Sequence, residues 1–497
     1  MKRLILTLLA GIAGVAHAAD LPNIVYILAD DLGYGDVQAL NPENGRIPTP
    51  QLDKLAAEGM VFTDAHSSSS VCTPTRYSIM TGRYNWRSRK QSGVLFGFDQ
   101  PLIPTDRMTV AGLLKTRGYR TGMVGKWHLG LGLRTPDGKP TKGKAAKVDG
   151  VDWSARIEGG PFDLGFDYWY GIAASLDMPP YIFIENDRFV GKCTTTKAFH
   201  RKGPAHADFE AVNVLDEIGR KSVEFIGKQK AGQPFFLYVP LTSPHAPIVP
   251  TDDWKGKSKL GLYGDFVMQT DAVVGRITAA VESADFSANT IIIVTSDNGC
   301  SKVADIPALK QQGHFPNARF RGSKSDIWDG GHRVPFIVRW PAGVKAGSSC
   351  AETICLTDLM ATCAELTGGN VPDNAGEDSV SFAPALKGGP IVSSRKGVVH
   401  HSVSGQFAYR MGKWKILLTK GSGGWTKEAM AVDAPAQFYD MEADPGEQKN
   451  LYHSNPEVFE RLLAQLESDV KRGRSTAGPE QKNDVARINP RKGMRGK

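Results

Sequence analysis

Cys72 opens the run Cys72-Thr73-Pro74-Thr75-Arg76, and Thr81-Gly82 follow five residues after the arginine. Serines 67–70 supply N-cap residues and Pro74 suits a first helical turn, so Cys72 is expected at a helix N-terminus. Free backbone N–H groups and the positive dipole end there favour a tetrahedral anion. Arg76 lies one turn further on, on the same face. Two further stretches offer acids where apolar runs end: Asp30-Asp31 after residues 21–29, and Asp297-Asn298-Gly299 after 290–296. Carboxylates and an amide are hard oxygen donors, which suit Ca²⁺ or Mg²⁺ rather than Zn²⁺. One such acid alone would be ordinary turn chemistry; two sites, one a doublet, make that reading less comfortable.

Lys126 and His128, two apart, share one side of an extended segment, a pattern that by itself is common on surfaces. Ser243-Pro244-His245-Ala246-Pro247 holds a histidine between prolines, on a stiff loop suited to acid or base work. Arg321-Gly322-Ser323-Lys324 precedes the glycine-rich Asp329-Gly330-Gly331-His332-Arg333-Val334-Pro335.

These residues need a scaffold, and the pattern describes one. Residues 21–29 read as a buried strand, 50–59 as a helix stopped by Gly59, and 109–117, 209–229 and 265–283 as helices. The last three precede strands at 119–124, 234–240 and 290–296. This alternation predicts an α/β chain with a mostly parallel, doubly wound sheet. The irregular stretch 131–184 breaks the rhythm of a TIM barrel. In open sheets of this kind ligands bind beyond the carboxyl ends of strands, where the acids and histidines above stand. Short strands at 398–403, 407–411, 414–419 and 437–440, with a helix at 456–471, predict a smaller C-terminal subdomain with an antiparallel sheet. The expected organisation is 1–18 leader, 19–375 catalytic domain, 376–470 subdomain and 471–497 tail.

With 497 residues, 41% hydrophobic and 23% charged, the chain has a globular composition. The formal charge of +8 is concentrated at the ends: residues 471–497 carry nine Lys or Arg against two acids, and Lys2 and Arg3 add two more. The body is near neutral, so no nucleic-acid partner is expected. The tail reads as a solvated, loosely held end, or as a weak electrostatic grip on an anionic polymer or membrane surface. Lys2-Arg3, the apolar residues 4–15 and Ala16-His17-Ala18 have the parts of a secretory signal, so a periplasmic or secreted location is expected, with no transmembrane segment. Six cysteines are too few for a disulfide-held scaffold, and their connectivity is open.

Taken together, C-T-P-T-R with the following Thr-Gly, the two acidic strand ends, G-K-W-H, S-P-H-A-P, R-G-S-K and D-G-G-H-R-V-P resemble the formylglycine-dependent sulfatase family. That family lies within the alkaline-phosphatase-like superfamily, and the likeness is to bacterial carbohydrate sulfatases and arylsulfatase A-like enzymes. The resemblance runs from Asn23 to about Pro341 and continues weakly over residues 437–451. It implies that Cys72 becomes formylglycine (3-oxoalanine), whose hydrate attacks sulfur and carries a covalent sulfate adduct. Maturation would fall to a formylglycine-generating or anaerobic sulfatase-maturating enzyme. It implies a metal set of Asp30, Asp31, Asp297 and Asn298 together with residue 72, with Ca²⁺ the usual ion and Mg²⁺ an alternative. Arg76 matches the residue that holds the hydrate and His128 the base that expels sulfate. Lys126, His245 and Lys324 match the sulfate and leaving-group set, and Ser175 a further sulfate contact. Asp329 departs from the family's usual Glu, a change of loop architecture. Asp177 and His314 are candidate sugar contacts, since residues 176–186 and 312–317 resemble relatives acting on sulfated carbohydrates. The expected substrate is a sulfated host or algal glycan, at galactose or N-acetylgalactosamine units. The alternatives are a phosphonate or phosphate ester hydrolase of the same superfamily, and an inactive glycan-binding relative.

Overall fold

In the computed structural model, which describes residues 21–144, 146–428 and 433–494, alternating strands and helices build a ten-stranded sheet. Its strands are β1 (Asn23–Asp30), β2 (Met60–Phe62), β3 (Arg120–Lys126), β4 (Tyr168–Ile172), β5 (Ile184–Glu185), β6 (Arg188–Phe189), β7 (Phe235–Pro244), β8 (Thr290–Ser296), β9 (Phe336–Arg339) and β10 (Ser348–Cys350). They lie in the order β10-β2-β9-β8-β1-β7-β3-β4-β5-β6. The central run β8-β1-β7-β3-β4 is wholly parallel, and β9 joins β8 antiparallel. β4 lies within the stretch the sequence reads as irregular.

β1 is buried on both faces, as its unbroken apolar run requires. Ile24, Tyr26 and Leu28 enter one core with helices α2 (Cys72–Thr81), α3 (Val110–Thr116) and α6 (Leu359–Leu366). Val25, Ile27 and Ala29 enter the other with α1 (Pro50–Glu58), α4 (Val214–Gly227) and α5 (Gly261–Ser283). The sheet is therefore covered on both sides, as a doubly wound sheet should be. Of these helices, α4 begins five residues later than the pattern implies, after the short 3₁₀ turn Ala211–Asn213.

Strands β11 (Val398–His401), β12 (Phe407–Met411), β13 (Trp414–Leu417) and β14 (Gln437–Asp440) form a separate antiparallel sheet. Helix α7 (Pro456–Lys471) packs Phe459, Leu462, Leu463 and Leu466 against it. The signal-like residues 1–18 lie outside the described residues. The tail departs from the expectation of a free solvated end. Residues 472–494 run back over the protein, where Arg83 donates to the Lys482 carbonyl at 2.9 Å and Arg87 to Asn483 at 3.1 Å. No described helix is long and apolar enough to cross a membrane. All six cysteines are free.

Candidate active site

Sheet register assembles the site. Asp30, the last residue of β1, pairs with Pro244 of β7, and Ala29 pairs with Ser296 of β8. Asp30-Asp31, His245 and Asp297-Asn298 therefore emerge at one level. β3 ends there too, with Lys126 opposite Ile172 of β4, the strand that leads to Ser175. Asp31 turns the chain out of β1 with φ 68°, and Gly299 fits only because it lacks a Cβ, which would sit 1.9 Å from the Gly330 carbonyl oxygen.

Each buried carboxylate meets a cation. Lys126 Nζ lies 2.5 Å from Asp30 and 3.1 Å from the Ser175 hydroxyl. Lys324 Nζ reaches both Asp31 oxygens at 2.7 and 2.9 Å. Arg76 donates twice to one oxygen of Asp297, at 3.0 and 2.7 Å. Arg76 thus clamps a carboxylate of the acid set in this structure. Burial alone would raise the Asp30 pKa, but Lys126, His245 and Arg76 hold it well below the carboxylate range. Burial and the Asp30 charge push Asp297 up, to about 7. Burial would lower the Lys324 pKa, yet Asp31 keeps it raised and charged.

Oxygens of Asp30, Asp31 and Asp297 lie within 4.8 Å of one another. Asp30 Oδ1 and Asn298 Oδ1 are buried and accept no hydrogen bond. Two orphaned oxygens beside crowded carboxylates fit a hard divalent cation, and the all-oxygen donor set fits Ca²⁺ or Mg²⁺. Cys72 Sγ, an Asp30 oxygen and a His245 ring nitrogen form a second group with atoms within 4.8 Å.

Cys72 is the first residue of α2, as expected, but none of the four serines caps it. Val71 holds the N-cap position without a side-chain bond, while Ser69 and Ser70 hydroxyls donate to the His401 carbonyl. No side chain therefore caps the first turn of α2. Burial pushes the thiol of Cys72 up, against the lowering effect of Lys126 and Lys324.

The two histidines differ in wiring. His128, in the left-handed region at φ 62°, donates from Nε2 to the Leu95 carbonyl at 2.8 Å, which leaves Nδ1 buried and without a partner. Burial, then the Lys126 and Arg76 charges, hold its pKa well below the usual range, so it is neutral with a free lone pair. His245 Nδ1 donates to the Ala246 carbonyl at 2.6 Å, with the Ser175 hydroxyl 3.3 Å away, and its Nε2 faces Asp31 at 3.8 Å.

The structure does not bring every candidate to this cluster. His314 is fully buried with both nitrogens engaged, Nε2 by Asp36 at 2.8 Å and Nδ1 by the Arg46 N–H at 3.0 Å. It buttresses the loop after β1 and has no nitrogen left for a sugar, which corrects the expectation of a sugar contact. Asp177 is buried beside the Ser175 loop, ion-paired to Arg201 through Oδ2 while Oδ1 has no partner. Asp329 accepts from Lys415 at 2.7 Å and takes part in the junction with the small sheet. Leu95, whose carbonyl orients His128, carried no signal in the sequence because its contribution is backbone.

The sulfatase family model matches residues 22–369, most of the chain. An N-acetylgalactosamine-6-O-sulfatase of Bacteroides thetaiotaomicron is 34% identical, over 90% of this chain and 93% of that protein. Bovine arylsulfatase A is 32% identical, over 93% of this chain and 88% of its own length. Among solved structures, one from a study of glycosaminoglycan metabolism by Bacteroides thetaiotaomicron superposes with TM-score 0.79 at 31% identity, covering 91% of this chain and all of that one. With this coverage and the strand-end cluster above, the chain belongs to the sulfatase family and is a sulfuric ester hydrolase.

Proposed function

We propose that this sulfatase is exported and removes sulfate from a glycan, with the 6-sulfate of N-acetylgalactosamine as the preferred ester and residue 72, matured to formylglycine, as the nucleophile. The observation that carries the reading is the grouping of Cys72, Asp30 and His245 beside two lysines fixed on acids. The galactosamine assignment is supported by two relatives named as N-acetylgalactosamine 6-sulfatases, one bacterial and one canine.

In this reading Asp30, Asp31, Asp297 and Asn298 hold Ca²⁺, which polarises a sulfate oxygen when bound. The hydrated aldehyde supplies a hydroxyl nucleophile at residue 72. Lys126, Lys324 and Ser175 hold the non-bridging oxygens, where charge concentrates in the transition state. His245, with Nδ1–H fixed on the Ala246 carbonyl, acts as the imidazolium: it gives the Nε2 proton to the departing sugar oxygen and is left neutral. His128 takes a proton at its free Nδ1.

The test is the mass of the peptide containing residue 72 from active enzyme. Conversion of –CH₂SH to an aldehyde makes it about 18 Da lighter than the cysteine form. Full activity in protein whose Cys72 is entirely unmodified would overturn the nucleophile assignment.

A further inference from the structure

Trp425 breaks the pattern set by the other tryptophans. The remaining eight are buried or half-buried, whereas Trp425 is 41% exposed, on the loop 421–427 between β13 and β14. An apolar side chain exposed on a loose loop would need no explanation. This loop is pinned. The Ser422 hydroxyl donates to the Thr426 carbonyl at 2.7 Å and accepts from the Gly424 N–H at 3.0 Å. Thr426 donates from its N–H and its hydroxyl to the two oxygens of Asp326, at 3.1 and 2.5 Å. A Cβ on residue 424 would stand 2.3 Å from the Ser325 carbonyl oxygen, so the backbone there is packed without slack. The indole is held in place before any ligand arrives.

What the loop is pinned to gives it a meaning. The Trp425 N–H donates to the Ser325 hydroxyl at 2.9 Å. Ser325 follows Lys324, whose Nζ reaches Asp31, and its own N–H donates to the carbonyl of Ser70, two residues before Cys72, at 2.8 Å. A second loop of the cluster comes to the ring itself: Lys302, four residues after Asn298, places Nζ 5.4 Å from the centre of the Trp425 ring. The Lys324 N–H ties the two loops together through the Cys300 carbonyl at 2.9 Å. Asp297 and Asn298 stand at the carboxyl end of β8, the side from which open sheets take ligands. One hydrogen bond and one residue thus separate Trp425 from Lys324. The sulfated sugar itself has to enter among Lys126, Lys324 and His245, and an indole at this remove is placed for the next sugar along. A pyranose offers a face of C–H bonds, which an indole covers with a large rigid area at little conformational cost. Lys302, exposed beside the ring, supplies a cation for a charged substituent on that sugar.

We propose that Trp425, with Lys302, is a specificity-determining platform for the sugar adjoining the sulfated one, and that this neighbour is anionic. The proposal rests on the glycan reading of the substrate. The exposed indole surface stacks on the neighbouring pyranose, and Lys302 pairs with its carboxylate or sulfate.

Steady-state kinetics on the matured full-length enzyme test this with four substrates. They are N-acetylgalactosamine 6-sulfate alone, and the same sugar linked to a neutral hexose, to a uronate or to a sulfated hexose. A neighbour is expected to raise kcat/KM about tenfold over the free sugar, chiefly through KM, and a charged neighbour about threefold more than a neutral one. Trp425→Ala should bring the gain from a neighbour to within about twofold of unity, and Trp425→Tyr should keep most of it. Lys302→Gln should remove only the preference for charge, and whichever charged neighbour loses more identifies the group that Lys302 meets. Each readout is a ratio between substrates on one preparation, so incomplete maturation or folding cancels. A wild-type ratio of one, or Trp425→Ala that keeps the wild-type ratio, overturns the platform. Equal rates on charged and neutral neighbours overturn the anionic assignment. Wild-type enzyme that cleaves nitrophenyl sulfate but no sugar sulfate overturns the glycan reading, and the platform with it.

Discussion

His128 and His245 both lie beside Asp30, yet they are wired through different nitrogens. His128 is held neutral with a buried, unpartnered Nδ1 lone pair, so it is built to accept; His245 has Nδ1 anchored and Nε2 toward the cluster, and gives a proton there only as the imidazolium. The need for a proton donor grows with leaving-group pKa, and general acid–base groups contribute roughly 10²–10⁴ in rate. His245→Ala should therefore lose at least about a hundredfold on a sugar sulfate and much less on nitrophenyl sulfate, read as kcat/KM on both. His128→Ala should release about one equivalent of alcohol per site and then stop, seen in rapid-mixing experiments. Equal leaving-group dependence in the two variants, with no burst in either, would refute this division of labour. At this scale much of the candidate cluster was legible, because acids, lysines and histidines are side-chain chemistry displayed in short motifs. His314 was misread for a physical reason: a polar residue in a loop looks alike whether it faces a ligand or, as here, pairs with Asp36 behind the strand.

Elements carried more of their information in pattern than in boundaries. Unbroken apolar runs marked β1 and β8 accurately, since strands buried on both faces admit little else. β4, Tyr168–Ile172, was missed because its flanking turns and aromatic residues lack a clear period. The serines before α2 were expected to cap it, but the hydroxyls of Ser69 and Ser70 go to the His401 carbonyl and that of Ser67 to the Ser69 carbonyl instead. Invisible altogether was the tightness of the turn after β8. A methyl group on residue 299 would meet the Gly330 carbonyl oxygen at 1.9 Å, backbone against backbone, so neither side can yield cheaply. Gly299→Ala should cost about 1–3 kcal/mol in stability, as overpacking does, and shift Asn298, one of the proposed Ca²⁺ ligands, enough to weaken binding of that ion. Calorimetric melting with and without the ion checks both; a variant that melts and binds like the parent would show that the turn relaxes freely.

At the scale of the whole molecule, the junction between the two sheets is a buried charge network. His66 pairs with Asp64 at 2.8 Å, His332 stacks on His400 with ring centres 3.8 Å apart, and Lys415 bonds Asp329 and Glu447 at 2.7 and 2.8 Å. Arg333 and Arg410 both reach the same Asp64 oxygen that His66 contacts. Burial, first among the causes, lowers the pKa of His66, His332 and His400, and holds His401 at about 3. Their unfolded values lie near 6.5, so the unfolded chain takes up protons first as pH falls. The stability they allow is complete above pH 6.5 and declines below it, by up to about 1.4 kcal/mol per histidine per pH unit. Glu447 and Asp297, pushed up to about 7 by burial, and Asp271 and Asp469, pushed up to about 6, run the other way and offset part of the loss. Urea titrations should show stability falling between pH 7 and 5.5. A flat profile would mean that the cluster accepts protons without opening.

The burial of Cys72 sets a chronology. Only 2% of that residue is exposed, and Lys126, Lys324 and the acids close around it. A catalyst that must grip the peptide around residue 72 has no access once β1, β7 and β8 have come together. Any enzymatic oxidation of this thiol therefore belongs to the interval between synthesis and closure of the sheet. Protein that folds first is committed to its unmodified form. Purified, folded, unmodified enzyme should stay inactive when incubated with a maturating enzyme, whereas a peptide spanning residues 68–84 should be converted under the same conditions. Activation of the folded protein at a comparable rate would show that the sheet opens far enough, and often enough, to release its first helix.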